Sequence, residues 1–450
     1  MVLAHTKVGV SRRDSVRRLY DELVIGVALN NPEGSYSRDV RLLLVLRGLR
    51  GFGYGIVNTA MGLYLHSIGF SLLQVGLVVT MAGVASAVLI IAAGTLADRL
   101  GAKRPFLVLS SGLSIAFGLV FALTTSYPLL IAGAALGGAG SAGGGVPGGG
   151  PFGPVQQAML ADKSSPARRN TVFSLNALIG TIFFSLGAVT AGLPDVLASV
   201  GYDKLLVYKL TFLLFAAISA VMVILSLMVT EERKTVSAPK KESAPKSDGK
   251  LIAKFTMTAT LNGFALGLIP LPLITLWFSM QYSVSDALIS AMIGFSLFIS
   301  AFPYLVAPYL ARRLGAVRMI VLTRAFGVAL LMILPLMPVF LLASAVYIVR
   351  GVLSSIGMPI RQSYMMGVVG EERRATAVGI SSGVGWGIPY ALSPVLSGYT
   401  MQEISLDLPI YVSALLQFAN TAVYYAFFRS LRPPEESSAR SPDHFELGNS

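Results

Sequence analysis

Along this chain, polar residues come in clusters, and the stretches between the clusters are apolar on every face. Apolar runs fall at about 41–66, 71–97, 105–124, 128–160, 171–194, 205–229, 253–279, 286–309, 317–338, 340–367, 376–400 and 408–428. Each is near or above the roughly 20 residues that carry an α-helix across a hydrocarbon core. Continuous runs of this length are unlike the short alternating strands of a membrane barrel. The pattern predicts an all-α membrane protein with twelve transmembrane helices. An even number of crossings puts both ends of the chain on one side.

Charge then orients the helices. On one side the connecting loops carry Arg99, Lys103 and Arg104; Lys163, Arg168 and Arg169; Arg312, Arg313 and Arg318; and Arg373 and Arg374. The opposite loops carry Lys204 and Lys209 among Asp195, Asp203, Asp286, Glu403 and Asp407. Cytoplasmic loops are enriched in Lys and Arg, so both termini are expected in the cytoplasm, with the protein in the plasma membrane. The segment EERKTVSAPKKESAPKSDGK, 231–250, is charged and rich in Ser, Ala and Pro, and reads as a solvated linker. The expected organisation is a cytoplasmic N-terminal segment 1–38, a six-helix half 39–230, a linker 231–252, a second six-helix half 253–430 and a disordered tail 431–450. Within the first segment, residues 17–29 read either as a helix lying on the membrane surface beside Arg12, Arg13, Arg17 and Arg18 or as part of a disordered tail. No small-residue cleavage pattern follows its apolar run, so it does not read as a removed leader.

Composition agrees with a lipid solvent. Hydrophobic residues make up 54% of the 450 and charged ones 13%, about half the usual charged share. The net charge of +13 is distributed between apolar runs, so it points to membrane lipid rather than nucleic acid. There are no cysteines, and the three histidines, His5, His66 and His444, are far apart in sequence. No metal cluster or nucleotide site is legible. The chain is expected to be no enzyme and to need no cofactor.

The glycine-rich stretch 137–154 contains Gly138, Gly140 and Gly143 in a G-x-G-x-x-G arrangement, with Asp162 downstream. In a dinucleotide fold such a turn follows a strand, whereas here it follows an apolar helix, so the phosphate reading fails. An internal duplication places it instead. Leu49-Arg-Gly-Phe-Gly-Tyr-Gly55 matches Leu261-Asn-Gly-Phe-Ala-Leu-Gly267, 212 residues on. Leu96-Ala-Asp-Arg-Leu-Gly-Ala102 matches Leu310-Ala-Arg-Arg-Leu-Gly-Ala316, 214 on, and Pro154-Val-Gln-Gln157 matches Pro359-Ile-Arg-Gln362, 205 on. Three matches in order predict two pseudo-symmetric six-helix bundles. The drop in offset marks about nine extra residues in the glycine-rich region. With Pro147 and Pro151 there, residues 143–153 are expected to be non-helical or sharply kinked.

The loop Gly94-Thr-Leu-Ala-Asp98-Arg99-Leu-Gly101-Ala-Lys103-Arg104 joins the second and third runs. It resembles the loop signature of the major facilitator superfamily (MFS), with Ala102 where the family usually has Arg. The resemblance covers roughly residues 40–430 and looks nearest to the drug-efflux-like branch. It implies the MFS fold and a gating loop of Gly94, Asp98, Arg99, Gly101, Lys103 and Arg104. In that gate Asp98 would latch onto the positive end of the eleventh helix, near Thr376. The family's frequent arginine in the fourth span is missing, and so is the antiporter signature of the fifth. The resemblance also implies that spans one, four, seven and ten line a central cavity, with contributions from two, five, eight and eleven.

Ionisable groups inside a membrane are functional candidates by default. Arg47, Arg50, Arg324, Arg350 and Arg361 fall within spans, and no Asp or Glu lies near a span's middle. At 100° per residue, Arg47, Arg50, Tyr54 and Asn58 share one face, as do Tyr347, Arg350 and Ser354, and as do Ser382, Trp386, Tyr390 and Ser393. The substrate cavity is expected to use Arg47, Arg50, Tyr54, Asn58, Tyr347, Arg350, Ser354, Trp386 and Tyr390. Arg47 and Arg361, near span ends, are also placed to snorkel toward lipid phosphate, and Arg324 reads as structural. The function expected is alternating-access secondary transport by a monomer, exporting small amphipathic or organic-anion solutes. Uptake of an organic anion is the second reading. A sensor or lipid-interacting protein on the same scaffold is the rival from another class. Any proton coupling is expected at a peripheral acid such as Asp195 or Asp286, or with the substrate itself.

Overall fold

Ser37 opens the first long helix by accepting a hydrogen bond from the Val40 N–H, which satisfies one of the free donors at a helix start. The computed structural model describes residues 36–137, 153–165, 168–231, 246–303, 315–369, 377 and 379–429. Within them the first half comprises α1 (Arg38–Ser67), α2 (Leu72–Leu100), α3 (Arg104–Leu123), α4 (Tyr127–Gly137), α5 (Gly153–Lys163), α6 (Arg169–Thr190), the short α7 (Leu193–Ala198) and α8 (Lys204–Met228). The second half comprises α9 (Lys246–Gly267), α10 (Leu271–Tyr282), α11 (Asp286–Ile299), α12 (Ala316–Ile333), α13 (Phe340–Val368), α14 (Ile388–Glu403) and α15 (Leu408–Phe428). No strand occurs among the described residues. Seven stretches are long and apolar enough to cross a membrane by themselves, and the shorter apolar helices α4 and α11 stand where the fourth and eighth runs were expected. The architecture is the all-α, twelve-span fold expected from the sequence.

Three runs depart from single straight helices. The seventh divides into α9 and α10 because Pro270 and Pro272 remove helix donors at the join. In the eleventh a π-helical stretch, Gly379–Gly387, leads into α14. The fourth is described as α4 and α5, and the expected kink at 143–153 lies almost wholly outside the described residues. α9 begins at Lys246, inside the segment assigned to the linker, and residues 232–245 lie outside the description.

In a bilayer, apolar side chains gain little by meeting one another rather than lipid, so helices associate through close packing and polar contacts. Aromatic rings fill the first half. Phe117 stacks on Phe121 at 4.3 Å between centroids, and Tyr64 sits 4.9 Å from Phe212 and 5.6 Å from Tyr208. Between α1 and α6, Gly51, Gly55 and Gly187 lie against backbone carbonyls of Gly180, Phe184 and Phe52, leaving no room for a larger residue.

The halves meet toward the end that carries the 68–71, 199–203 and 283–285 connections. Gly62 of α1 lies directly on the Pro272 carbonyl, and Thr275 Oγ1 donates to Thr59 O at 3.4 Å. Gly76 and Gly398 bring α2 onto α14, where the Val395 N–H donates to Thr80 Oγ1 (2.9 Å) and the Leu73 N–H to Gln402 Oε1 (3.1 Å). Ser185 Oγ of α6 donates to Gly294 O of α11 at 2.7 Å.

Candidate substrate site and gates

The three polar stripes read from the sequence lie on α1, α13 and the π-helical stretch leading into α14. Arg50 is 1% exposed; its Nη1 donates to Gln156 Oε1 at 3.3 Å, and its Nη2 is buried without a partner. Gln156, on α5, is held in turn by donating to Leu43 O at 2.8 Å. Asn58 donates to Tyr54 O one turn back. It shares a small cleft between the halves with Tyr390, walled by Val79, Gly83, Pro270 and Pro394. The cleft holds about one water molecule, so a solute would enter only after the halves move.

From the second half, Tyr390 stacks on Trp386 at 4.5 Å with the rings nearly parallel. Their carbonyls rest on Gly267 and Gly263 of α9, where the absence of a side chain lets the π-helical segment approach. Tyr347 lies close to Tyr390 and Arg350, with its ring 5.5 Å from Phe278. Arg350 is 8% exposed, and no carboxylate among the described residues pairs with it. The structure therefore brings Asn58, Tyr390, Trp386, Tyr347 and Arg350 into one connected region.

Other stripe members point elsewhere. Tyr54 turns into the first half, donating to Gly137 O at 3.2 Å and packing edge-on against Phe215. Ser354 is exposed beside Gly327 of α12. Arg47 corrects the snorkelling expectation. It is buried across Gly180 with Nε donating to Asn176 O at 3.3 Å, because the missing side chain at Gly180 opens space inside the bundle. Arg361 likewise turns inward, its Nη2 buried near Tyr424. The side chain of Ser382 lies outside the description.

Of the gating loop, Gly101 ends α2 in the left-handed conformation at φ 60°, as a glycine permits. Arg99 is exposed. Lys103 pairs with Asp162 at 2.6 Å. The Lys103 and Arg104 N–H groups both donate to the carboxylate of Glu231, at 2.8 and 2.7 Å. That carboxylate caps α3 from beyond the end of α8, a contact the sequence did not suggest. The surroundings of Gly94, the side chain of Asp98 and the backbone at Thr376 lie outside the description. At the same end Asp39 meets Lys163 at 3.1 Å and accepts from Thr230. Burial alone would raise its carboxyl pKa; the lysine and the threonine donors outweigh that and hold it below the usual value.

At the opposite end Lys204 Nζ reaches Asp286 Oδ2 at 2.6 Å and Asp195 Oδ1 at 3.1 Å. Tyr208 donates to the same Asp286 oxygen at 2.8 Å, and Asp195 accepts from the Ala287 N–H at 3.4 Å. Sequence alone placed Asp195 and Asp286 at span ends; it could not show that they meet.

Two bundles joined through glycine contacts, with a basic loop at one end and an ion-pair seal at the other, define a class of membrane carrier. The sequence pattern of the Major Facilitator Superfamily matches residues 43–385, and the chain belongs to that superfamily. Over 198 residues it is 29% identical to the uncharacterized membrane protein YJR124C of Saccharomyces cerevisiae, a match spanning 43% of each chain. The fold is similar to the crystal structure of the nucleoside transporter NupG, at a TM-score of 0.66 and 15% identity, covering 87% of this chain and all of that one. It is also similar to a bacterial homolog of the human lysosomal transporter Spinster in its inward-facing, occupied conformation, at a TM-score of 0.66 and 16% identity, covering 87% of this chain and 96% of that one. The chain is a multi-pass membrane protein of that superfamily, with the fold of these transporters.

Proposed function

We propose that this transporter works by alternating access as a monomer of the plasma membrane with both termini cytoplasmic, exporting small amphipathic or organic-anion solutes. One observation carries the reading. The region where the halves meet holds aromatic side chains and Arg350, with Arg50 nearby along α1, and neither arginine pairs with a carboxylate among the described residues. Arginine keeps its charge under all ordinary conditions. Taking such a charge out of water costs several kcal/mol unless something compensates it, and an anionic group on the solute would do so. Aromatic faces suit the apolar remainder. With the basic loops inside, the end closed by Lys204, Asp195 and Asp286 faces outward.

The test is flux in proteoliposomes across matched anionic and neutral solutes of similar size, for the parent protein and Arg350→Gln. Selective loss of the anionic solutes, by about tenfold or more, is the expected result. Equal losses for both, or none, would leave Arg350 as an anchor of the bundle.

A further inference from the structure

Inside the second half, away from the Asn58–Tyr390 cleft, a second group of cationic side chains converges. Arg324 of α12 donates from Nη1 to Asn420 Oδ1 at 3.1 Å, with the Asn420 amide oriented so that its nitrogen donates to Thr258 O at 2.9 Å. The Arg324 guanidinium lies 5.3 Å from the centre of the Tyr424 ring. Arg361 of α13 is within electrostatic range of both. Its Nη2 is buried without an acceptor, and the hydroxyl of Tyr424, a residue 0% exposed, is buried without a partner too.

The ion pairs among the described residues lie elsewhere, at Lys103–Asp162, Lys163–Asp39 and Lys204 with Asp195 and Asp286. Two guanidinium groups thus lie within electrostatic range of each other, and no carboxylate among the described residues pairs with either. Neither relieves the repulsion by losing a proton. The duplicated half differs in how many cations it gathers. At the matching places the first half has Ser110 opposite Arg324, 214 residues apart, and Gln156 opposite Arg361, 205 apart. There a single guanidinium, that of Arg50 from α1, meets Gln156 Oε1, whereas the second half brings two arginines together and offers neither a carboxylate among the described residues.

We propose that Arg324, Arg361 and the Tyr424 hydroxyl form an oxyanion-binding site of the phosphate class, separate from the solute region. A tetrahedral oxyanion has enough oxygens to accept from both arginine forks and from the phenol at once, and guanidinium matches phosphate geometry bidentately. Arg361 lies seven residues before the end of α13 and Tyr424 four before the end of α15. That is about 10 Å and 6 Å from the helix ends at 1.5 Å per residue. A free phosphate and a lipid phosphate share this chemistry.

The experiment uses the full chain purified in detergent. Thermal unfolding is followed while sodium phosphate replaces sodium chloride at constant ionic strength. In parallel, native mass spectrometry measures retention of added phosphatidylglycerol against phosphatidylcholine. A saturable rise in the unfolding midpoint with phosphate is expected if the oxyanion is free. Preferential phosphatidylglycerol retention without a phosphate effect assigns it to a lipid headgroup. Either response is lost in Arg361→Gln, weakened roughly tenfold in Tyr424→Phe, the weight of one charge-assisted hydrogen bond, and kept in Arg318→Gln, an exposed arginine on α12, the helix that carries Arg324. If Arg361→Gln does not fold, Tyr424→Phe decides alone, because it keeps the ring under Arg324 and removes only the hydroxyl. No response to either probe, or a response unchanged in Tyr424→Phe, would overturn the site.

Discussion

Lys204 Nζ lies 2.6 Å from Asp286 Oδ2, and the two residues begin helices in different halves of the molecule. The pair is part of a compact network, with Asp195 on the same lysine and Tyr208 on the same carboxylate oxygen. Asp286 is 7% exposed, while the Lys204 side chain is 38% exposed. Both halves must let go here if this end is ever to open.

Asp286→Asn should therefore favour separation at this end. Solvent screening at Lys204 keeps the effect modest, about 1–2 kcal/mol, or some tenfold in the open-to-closed ratio. The chain has no cysteine, so spin labels can be placed at Ser199 and Ser283 without background. A broader, longer distance distribution in the variant is expected. Identical distributions in both proteins would reduce the pair to a surface contact.

Gly62 gives a steric counterpart. A side-chain carbon there would overlap the Pro272 carbonyl, which is backbone and cannot rotate away. Gly62→Ala should push α1 from α10 at an overpacking cost of about 1–3 kcal/mol, and should show the same label separation without any change of charge. Closure as tight as in the parent would mean that the helices shift without penalty.

At the basic end, Asp98 is proposed to latch the start of the eleventh span when that end closes. Asp98→Asn keeps the shape and removes the charge that a helix N-terminus attracts. Flux should fall while membrane insertion, measured by surface labelling and yield, stays normal. Undiminished flux would remove the latch role.

The glycine-rich connection between α4 and α5 supports a structural prediction. Pro147 and Pro151 lack the N–H that a continuous helix requires, so residues 143–153 should be non-helical or sharply kinked. A high-resolution experimental structure checks this, and one straight helix from 128 to 160 would refute it.

Much of the architecture was legible in the one-dimensional pattern, because the bilayer is a severe solvent. Backbone polar groups in lipid must be satisfied within the segment, so a long apolar run has little choice but to be a helix. That is why α1, α3, α8 and α15 fall within a few residues of their predicted runs. The arginines inside spans stood out for the same reason. What they touch was not legible, since helical periodicity gives a direction around one helix axis and says nothing of the neighbour. Arg47 and Arg50 share a face of α1, yet Arg47 turns to the Asn176 carbonyl on α6 and Arg50 to Gln156 on α5. Asp286 read as a loop acid until the packing of α11 against α6 and α7 brought it to Lys204 at the start of α8. Sequence alone determined which segments are helices and which charges must be accommodated among them. Tertiary packing decided which charges meet, because contacts at about 3 Å between residues 82 to 129 positions apart depend on helix position and rotation.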